Sequence, residues 1–256
     1  MKIAVVTGAS SGMGAEAARQ IDRMYRNLDE IWLIARRKDC LQETAAALQT
    51  KARVIDLDLS KKSSCHTLQK LFEKEKPSVR VLANAAGFGM IGTAEEIKPE
   101  TQIEMIDVNC RGLTYVTLLC LPYMKNGSRI LQFASAAAFM PQPGFGVYAA
   151  TKSYVLSLSR SLSEELKKRG IIVTAVCPGP VDTAFFDTAS RYHTAGVLKK
   201  LAMASPEKVV RQALIDSLKH RKLSVYGVPM RTALFFTKTL PHSMLEPLLS
   251  KIMMTR

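Results

Sequence analysis

The chain has no long hydrophobic run. Its apolar opening, Ile3 to Val6, breaks at Thr7 and Gly8, too short for the apolar region of a signal peptide, and no stretch approaches the ~20 apolar residues of a membrane-spanning helix. Cysteine is sparse and unpaired. Cys40, Cys65, Cys110, Cys120 and Cys177 are odd in number, scattered and without a CxxC pair, which argues against a disulfide framework and against a zinc site, so no metal is expected. They read as reduced cysteines of a cytoplasmic protein. Acidic residues are also short, 22 against 36 basic ones, for a net charge of +14. The imbalance is uneven: residues 1–185 carry 24 basic and 18 acidic side chains, residues 186–256 carry 12 and 4. No helix-turn-helix, zinc or RNP pattern accompanies this basicity, so nucleic acid is not an expected partner. Surface charge, or attraction to anionic ligands and membranes, is the simpler reading. At 256 residues, the length suits one domain spanning 1–256.

What the sequence does contain is repeated alternation of short apolar runs with helical patterns. Strands are expected at Ile3–Val6, Ile31–Ile34, Arg53–Leu57, Val79–Ala83, within Gly127–Ala134, at Ile171–Val176 and at Leu223–Tyr226. Helices are expected after Gly14, at Leu41–Gln49 with Asp39 as its cap, at Lys61–Glu75, Pro99–Tyr123, Gly146–Glu165 and Pro206–His220. This order implies an α/β fold of the Rossmann type: a doubly wound, mostly parallel seven-stranded sheet with helices on both faces.

The first strand runs directly into Thr7-Gly8-Ala9-Ser10-Ser11-Gly12-Met13-Gly14, and a helix follows. Strand, glycine turn and helix form the dinucleotide-binding geometry: glycines let the backbone approach a pyrophosphate, and the amides at the helix start point at its charge. About twenty residues on, where an acidic residue would bond the ribose 2′-hydroxyl of NAD, the second strand ends at Ala35-Arg36-Arg37. Two cations can neutralise a 2′-phosphate, which favours NADP(H) over NAD(H); the alternative is a pair of solvated loop arginines.

Ser135 falls at the carboxyl end of the Ile130–Ala134 run, where open α/β sheets place their sites. On the following helix Tyr148 and Lys152 stand i and i+4, so phenol and ammonium share a face. A phenol near pH 10 is a poor acid or base at neutrality unless a nearby cation stabilises the phenolate. Taken alone, the pair is equally an aromatic packed under an aliphatic stem. Asn109, inside the Pro99–Tyr123 helical pattern, is disfavoured there and reads as a surface or functional residue.

In this order, these motifs resemble the short-chain dehydrogenases/reductases over about residues 1 to 183. The resemblance implies an oxidoreductase interconverting a ketone and a secondary alcohol, with Asn109, Ser135, Tyr148 and Lys152 as the catalytic tetrad. Ser135 would hydrogen-bond the carbonyl oxygen, Tyr148 would exchange the proton, Lys152 would depress the Tyr148 pKa and hold the cofactor ribose, and Asn109 would position a water. It also implies cofactor contacts from Gly8, Ser10, Ser11, Gly12, Met13 and Gly14, from Arg36 and Arg37, and from Asp58 and Leu59 near the adenine. Further contacts would come from Asn84, Ala85 and Gly87 after the fourth strand, from Pro178, Gly179, Val181 and Thr183 near the nicotinamide, and from Tyr148 and Lys152 themselves. Asn84-Ala85-Ala86-Gly87 has Ala where many members have a second Asn.

Residues 184–205 follow a strand's carboxyl end and read as a substrate lid. Its apolar members Phe185, Phe186, Val197, Leu198 and Leu201 suggest a lipophilic carbonyl or alcohol substrate, steroid or 3-oxoacyl in type. From Met230 on, Met244, Leu245, Leu248, Leu249, Ile252 and Met253 recur at helical spacing, making residues 230–256 an amphipathic extension. It suits a packing or dimer helix, a pocket wall, or a basic segment lying on membranes. A homodimer or homotetramer is expected. The competing function is a non-catalytic NADP-binding sensor or scaffold of the same fold.

Overall fold

The computed structural model describes residues 1–185, 189, 203–241, 244, 245 and 247. Seven strands form one all-parallel sheet in the order β3-β2-β1-β4-β5-β6-β7. In chain order they are β1 (Lys2–Thr7), β2 (Glu30–Ala35), β3 (Ala52–Asp56), β4 (Ser78–Asn84), β5 (Met124–Phe133), β6 (Ile172–Val176) and β7 (Leu223–Ser224). The helices between them are α1 (Gly12–Met24), α2 (Lys38–Ala46), α3 (Lys62–Glu75), α4 (Pro99–Ile106), α5 (Leu113–Cys120), α6 (Gly146–Glu165), α7 (Pro206–Leu218) and α8 (Val228–Thr239).

The strands are continuous apolar runs because both sheet faces are covered. On β1, Ala4 and Val6 join one core with Ala17, Ala18 and Ile21 of α1 and Val210 and Leu214 of α7. Ile3 and Val5 join the other with Leu68 and Phe72 of α3, Val116 of α5 and Leu162 of α6. Trp32, fully buried in this second layer, meets Phe72 edge-on at 5.0 Å, and its indole donates to Glu30.

The order of strands reverses direction on either side of β1: β2 and β3 lie to one side, β4 onward to the other. A crevice opens at that switch point, beyond the carboxyl ends of the strands. Two expected elements need correction. α2 begins at Lys38 rather than Leu41, with extended Arg37 at its N-cap, so Asp39 lies in the first turn, where its charge favours the helix dipole, and does not cap the helix. The expected Pro99–Tyr123 helix is broken by a π turn at Asp107–Gly112 and ends in a 3₁₀ turn at Leu121–Tyr123. α8 stops at Thr239, and Leu240, which precedes Pro241, is extended. Met230 and Leu234 of α8 pack on the cluster of Val155, Leu156 and Cys177. Most of the 184–205 lid, and tail residues Leu248, Leu249, Lys251, Ile252 and Met253, lie outside the described residues.

Candidate active site

The loop from β1 to α1 is drawn tight by glycine. Gly8 (φ +67°) and Gly12 (φ +53°) occupy the left-handed region, and a Cβ on Gly14 would stand 2.2 Å from the Gly8 carbonyl oxygen. Ser11, at the N-cap of α1, places no side-chain oxygen on the helix amides. Its hydroxyl instead accepts a 2.8 Å bond from Arg37, which also reaches the Ser10 hydroxyl at 3.3 Å. The start of α1 thus presents its amides to the crevice, an arrangement that suits a phosphate.

The crevice holds about 510 Å³ and runs from these residues past Asp58 and Leu59 to Ala85, Gly87 and Thr183. Of the residues expected to hold a cofactor, it is lined by Gly8, Ser10 to Gly14, Arg36, Arg37, Asp58, Leu59, Ala85, Gly87 and Thr183. Thr183 closes it from the far side, 3.4 Å from where a Gly12 Cβ would stand. Asp58 accepts from the amide and hydroxyl of Ser60 at 3.0 and 2.7 Å; burial raises its pKa, but these bonds, with Arg36 and Lys61, bring it below the ordinary value. Asn84 does not face the crevice: it is buried and donates to the Thr117 hydroxyl at 2.8 Å, tying β4 to α5. Pro178, Gly179 and Val181 do not line the crevice. The Pro178 carbonyl receives Ala136 N–H, Gly179 lies against Met230, and Val181 pairs with Ala204.

Ser135, Tyr148 and Lys152 do not line this crevice; Lys152 and Tyr148 adjoin its wall at Gly87, where a Cβ would stand 3.3 Å from the Lys152 Nζ, and at Phe185. Ser135 leaves β5 extended, accepts from Ala137 N–H at 3.1 Å, and acts to lower the pKa of the Tyr148 phenol. Tyr148 is nearly enclosed: Phe145 stacks on it at 4.2 Å, Phe185 lies 5.5 Å away, and a Cβ on Gly89 would come within 2.6 Å of its ring. Lys152, also buried, donates to the Phe133 carbonyl at 2.8 Å, and its Nζ is 5.6 Å from the centre of the Tyr148 ring.

The expected lowering of the Tyr148 pKa by Lys152 is not found. Burial pushes the phenol up to about 12 against the opposing Ser135 bond, and the lysine, itself brought down to about 8 by burial, is engaged by a backbone carbonyl. The phenol is therefore held protonated at neutral pH.

Asn109 is at the centre of the π turn and fully buried, which removes the difficulty of an Asn inside a regular helix. It receives Phe88 N–H at 3.1 Å, donates to the Phe88 carbonyl at 2.9 Å and to the Thr151 hydroxyl at 3.1 Å, while Thr151 donates to the Tyr148 carbonyl at 2.7 Å. The geometry places Asn109 where a chain of hydrogen bonds leads to the tyrosine backbone. Two groups escaped sequence reasoning. Thr151 sits beside the tetrad, readable only as the neighbour of Lys152. Thr101 and Glu104 of α4 and Val108 of the π turn stand in the crevice wall, and Glu104 pairs with Arg36 at 3.1 Å across 68 residues, a separation no motif encodes.

Comparison with known proteins agrees with this architecture. Residues 2–193 match the model of the short chain dehydrogenases. An uncharacterized oxidoreductase of Staphylococcus epidermidis is 34% identical over 184 residues, 71% of this chain and 79% of the relative. Among solved structures, a short-chain dehydrogenase from Sphingobium yanoikuyae in complex with NADPH superposes with a TM-score of 0.79 at 24% identity, covering 93% of this chain and 94% of that one. A short chain dehydrogenase/reductase from Burkholderia phymatum in complex with NAD also gives 0.79, at 21% identity over 92% of each chain. Those two likenesses speak to the fold; the sequence matches speak to descent. With well over half its length matched, the chain belongs to the short-chain dehydrogenase family of oxidoreductases.

Proposed function

We propose that this oxidoreductase interconverts a ketone and a secondary alcohol using NADP(H), with Tyr148 as the proton donor and acceptor. The observation that carries the reading is the placement of the buried Tyr148 and Lys152 directly behind Phe185 and Gly87 in the wall of a crevice whose other end carries Arg37. The crevice fits a dinucleotide: Gly8 and Gly14 leave no room for a Cβ, α1 presents uncapped amides, and about 510 Å³ is open. When bound, the nicotinamide supplies or accepts the hydride. Ser135 orients the substrate oxygen and donates to it as negative charge develops. Tyr148 then passes its phenolic proton to that oxygen, and in oxidation takes it back. Lys152 holds positive charge beside the phenol and, next to Gly87 of the crevice wall, would hold the cofactor ribose; Asn109 fixes the Phe88 backbone that borders the site.

NADP(H) rather than NAD(H) is supported by the end of β2, where among the described residues Arg37 presents a guanidinium bonded only to neutral hydroxyls. The solved relatives at hand bind NADPH in one case and NAD in the other, so the arginine is the argument. A lipophilic substrate is supported by the apolar cluster around Tyr148, which includes Met90, Ile91, Phe145, Phe88 and Phe185. Its cellular place is proposed as cytoplasmic and its active form as a homodimer or homotetramer; among the described residues no helix is long and apolar enough to cross a membrane. The test is a binding titration with NADPH and NADH followed by turnover on steroid, acyl and aromatic ketones. Preference for NADPH with turnover supports the proposal. Tight binding without turnover on any carbonyl selects the sensor instead.

A further inference from the structure

We propose that Glu104 sets how strongly the protein discriminates between NADPH and NADH, by holding Arg36 and leaving Arg37 as the reader of the 2′-phosphate. This rests on the NADP(H) reading above. The two adjacent arginines have opposite surroundings. Arg36 forms a 3.1 Å ion pair with Glu104 of α4, and its charge helps to lower the pKa of Asp58, two residues beyond β3. Arg37 turns the other way and bonds the Ser10 and Ser11 hydroxyls, and among the described residues no carboxylate pairs with it. Both arginines, Glu104 and Asp58 line the same crevice.

A carboxylate held at this end of the crevice acts on the two cofactors unequally. It repels a 2′-phosphate, which carries nearly two negative charges, and has little effect on a 2′-hydroxyl. It also occupies the fork with which Arg36 could bind a phosphate in bidentate fashion. Because the pair is roughly half exposed, at 59% and 41%, solvent screening keeps the effect moderate. Glu104 thereby lowers the affinity for NADPH relative to what two free arginines would give, and it does so without touching the reacting end of the site.

The experiment compares dissociation constants for NADPH and NADH, measured by fluorescence titration at low and high salt, for the wild type, Glu104→Gln, Arg36→Ala and the double variant. The expected result is NADPH binding tighter by about three- to tenfold in Glu104→Gln, NADH unchanged within about twofold, and a gain that shrinks with salt. The gain is smaller when Arg36 is also removed, because only the repulsion by Glu104 is then left to be relieved. Equal shifts for both cofactors, or weaker NADPH binding in Glu104→Gln, overturn the proposal and make Glu104 a structural residue or a ribose ligand. Failure of the underlying reading looks different: the wild type then favours NADH, and Arg37→Ala leaves the ratio unmoved.

Discussion

The Lys152 ammonium donates to the Phe133 carbonyl at 2.8 Å and is buried beneath Tyr148, so the site keeps a desolvated charge whose pKa is lowered to about 8. A lysine whose folded pKa lies below its unfolded value destabilises the fold while charged. The penalty is fully present below about pH 8 and is relieved as pH rises toward the unfolded value near 10.5. Lys152→Met therefore raises stability at pH 7 by about 1–3 kcal/mol, less whatever the orphaned Phe133 carbonyl costs, while abolishing most turnover. Denaturant melts at pH 7 and 10 check this. The gain at pH 7 should shrink at pH 10, and destabilisation at both values contradicts it.

Direction of reaction and pH are linked through Tyr148. With the phenol pushed up to about 12, the form that donates a proton dominates throughout the neutral range, whereas the phenolate needed for alcohol oxidation grows about tenfold per pH unit. Ketone reduction should be level between about pH 6 and 8, and the logarithm of kcat/KM for oxidation should climb there with a slope near one. A level oxidation profile would place the working pKa well below the neutral range.

Arg37→Ala removes the guanidinium beside the Ser11 hydroxyl. NADPH affinity should fall by about tenfold or more and NADH affinity by less than about threefold, with kcat at saturation nearly unchanged. Equal losses for both cofactors would mean that Arg37 only supports the glycine loop.

Far from the site, Glu30 is buried and accepts from Lys51, Arg53 and the Trp32 indole at 2.8 to 3.0 Å. Burial raises its pKa, but these three partners overcome that and bring it to about 2. Its stabilising contribution is present above the unfolded value of 4.5 and is lost as pH falls toward 2. Glu30→Gln should lower stability at pH 7 by roughly 2–3 kcal/mol and flatten the acid limb of the stability curve between pH 5 and 3. An unchanged acid limb would show that the network contributes nothing.

Most of this architecture is written locally. The apolar run of Ile3 to Val6 ending at Gly8 specifies strand and turn, and the i, i+4 spacing of Tyr148 and Lys152 specifies one helix face. What the sequence concealed depends on tertiary context. The π turn around Asn109 has no local signature, because Asp107–Gly112 reads as ordinary helix until its packing on Phe88 and Thr151 is known. The Arg36–Glu104 pair joins β2 to α4 through the fold alone. The pKa of Tyr148 follows from its enclosure by Phe145, Gly89 and Phe185, which the charge pattern of the helix could not reveal.

The most direct test follows NADPH consumption by the wild type and Tyr148→Phe on the best ketone of a broad panel, with NADPH affinity measured in parallel. The account predicts turnover by the wild type and a loss of about 10²–10⁴-fold in kcat for the variant, with the NADPH dissociation constant changed by less than about threefold. Near-normal turnover by Tyr148→Phe would contradict the assignment of the phenol as proton donor.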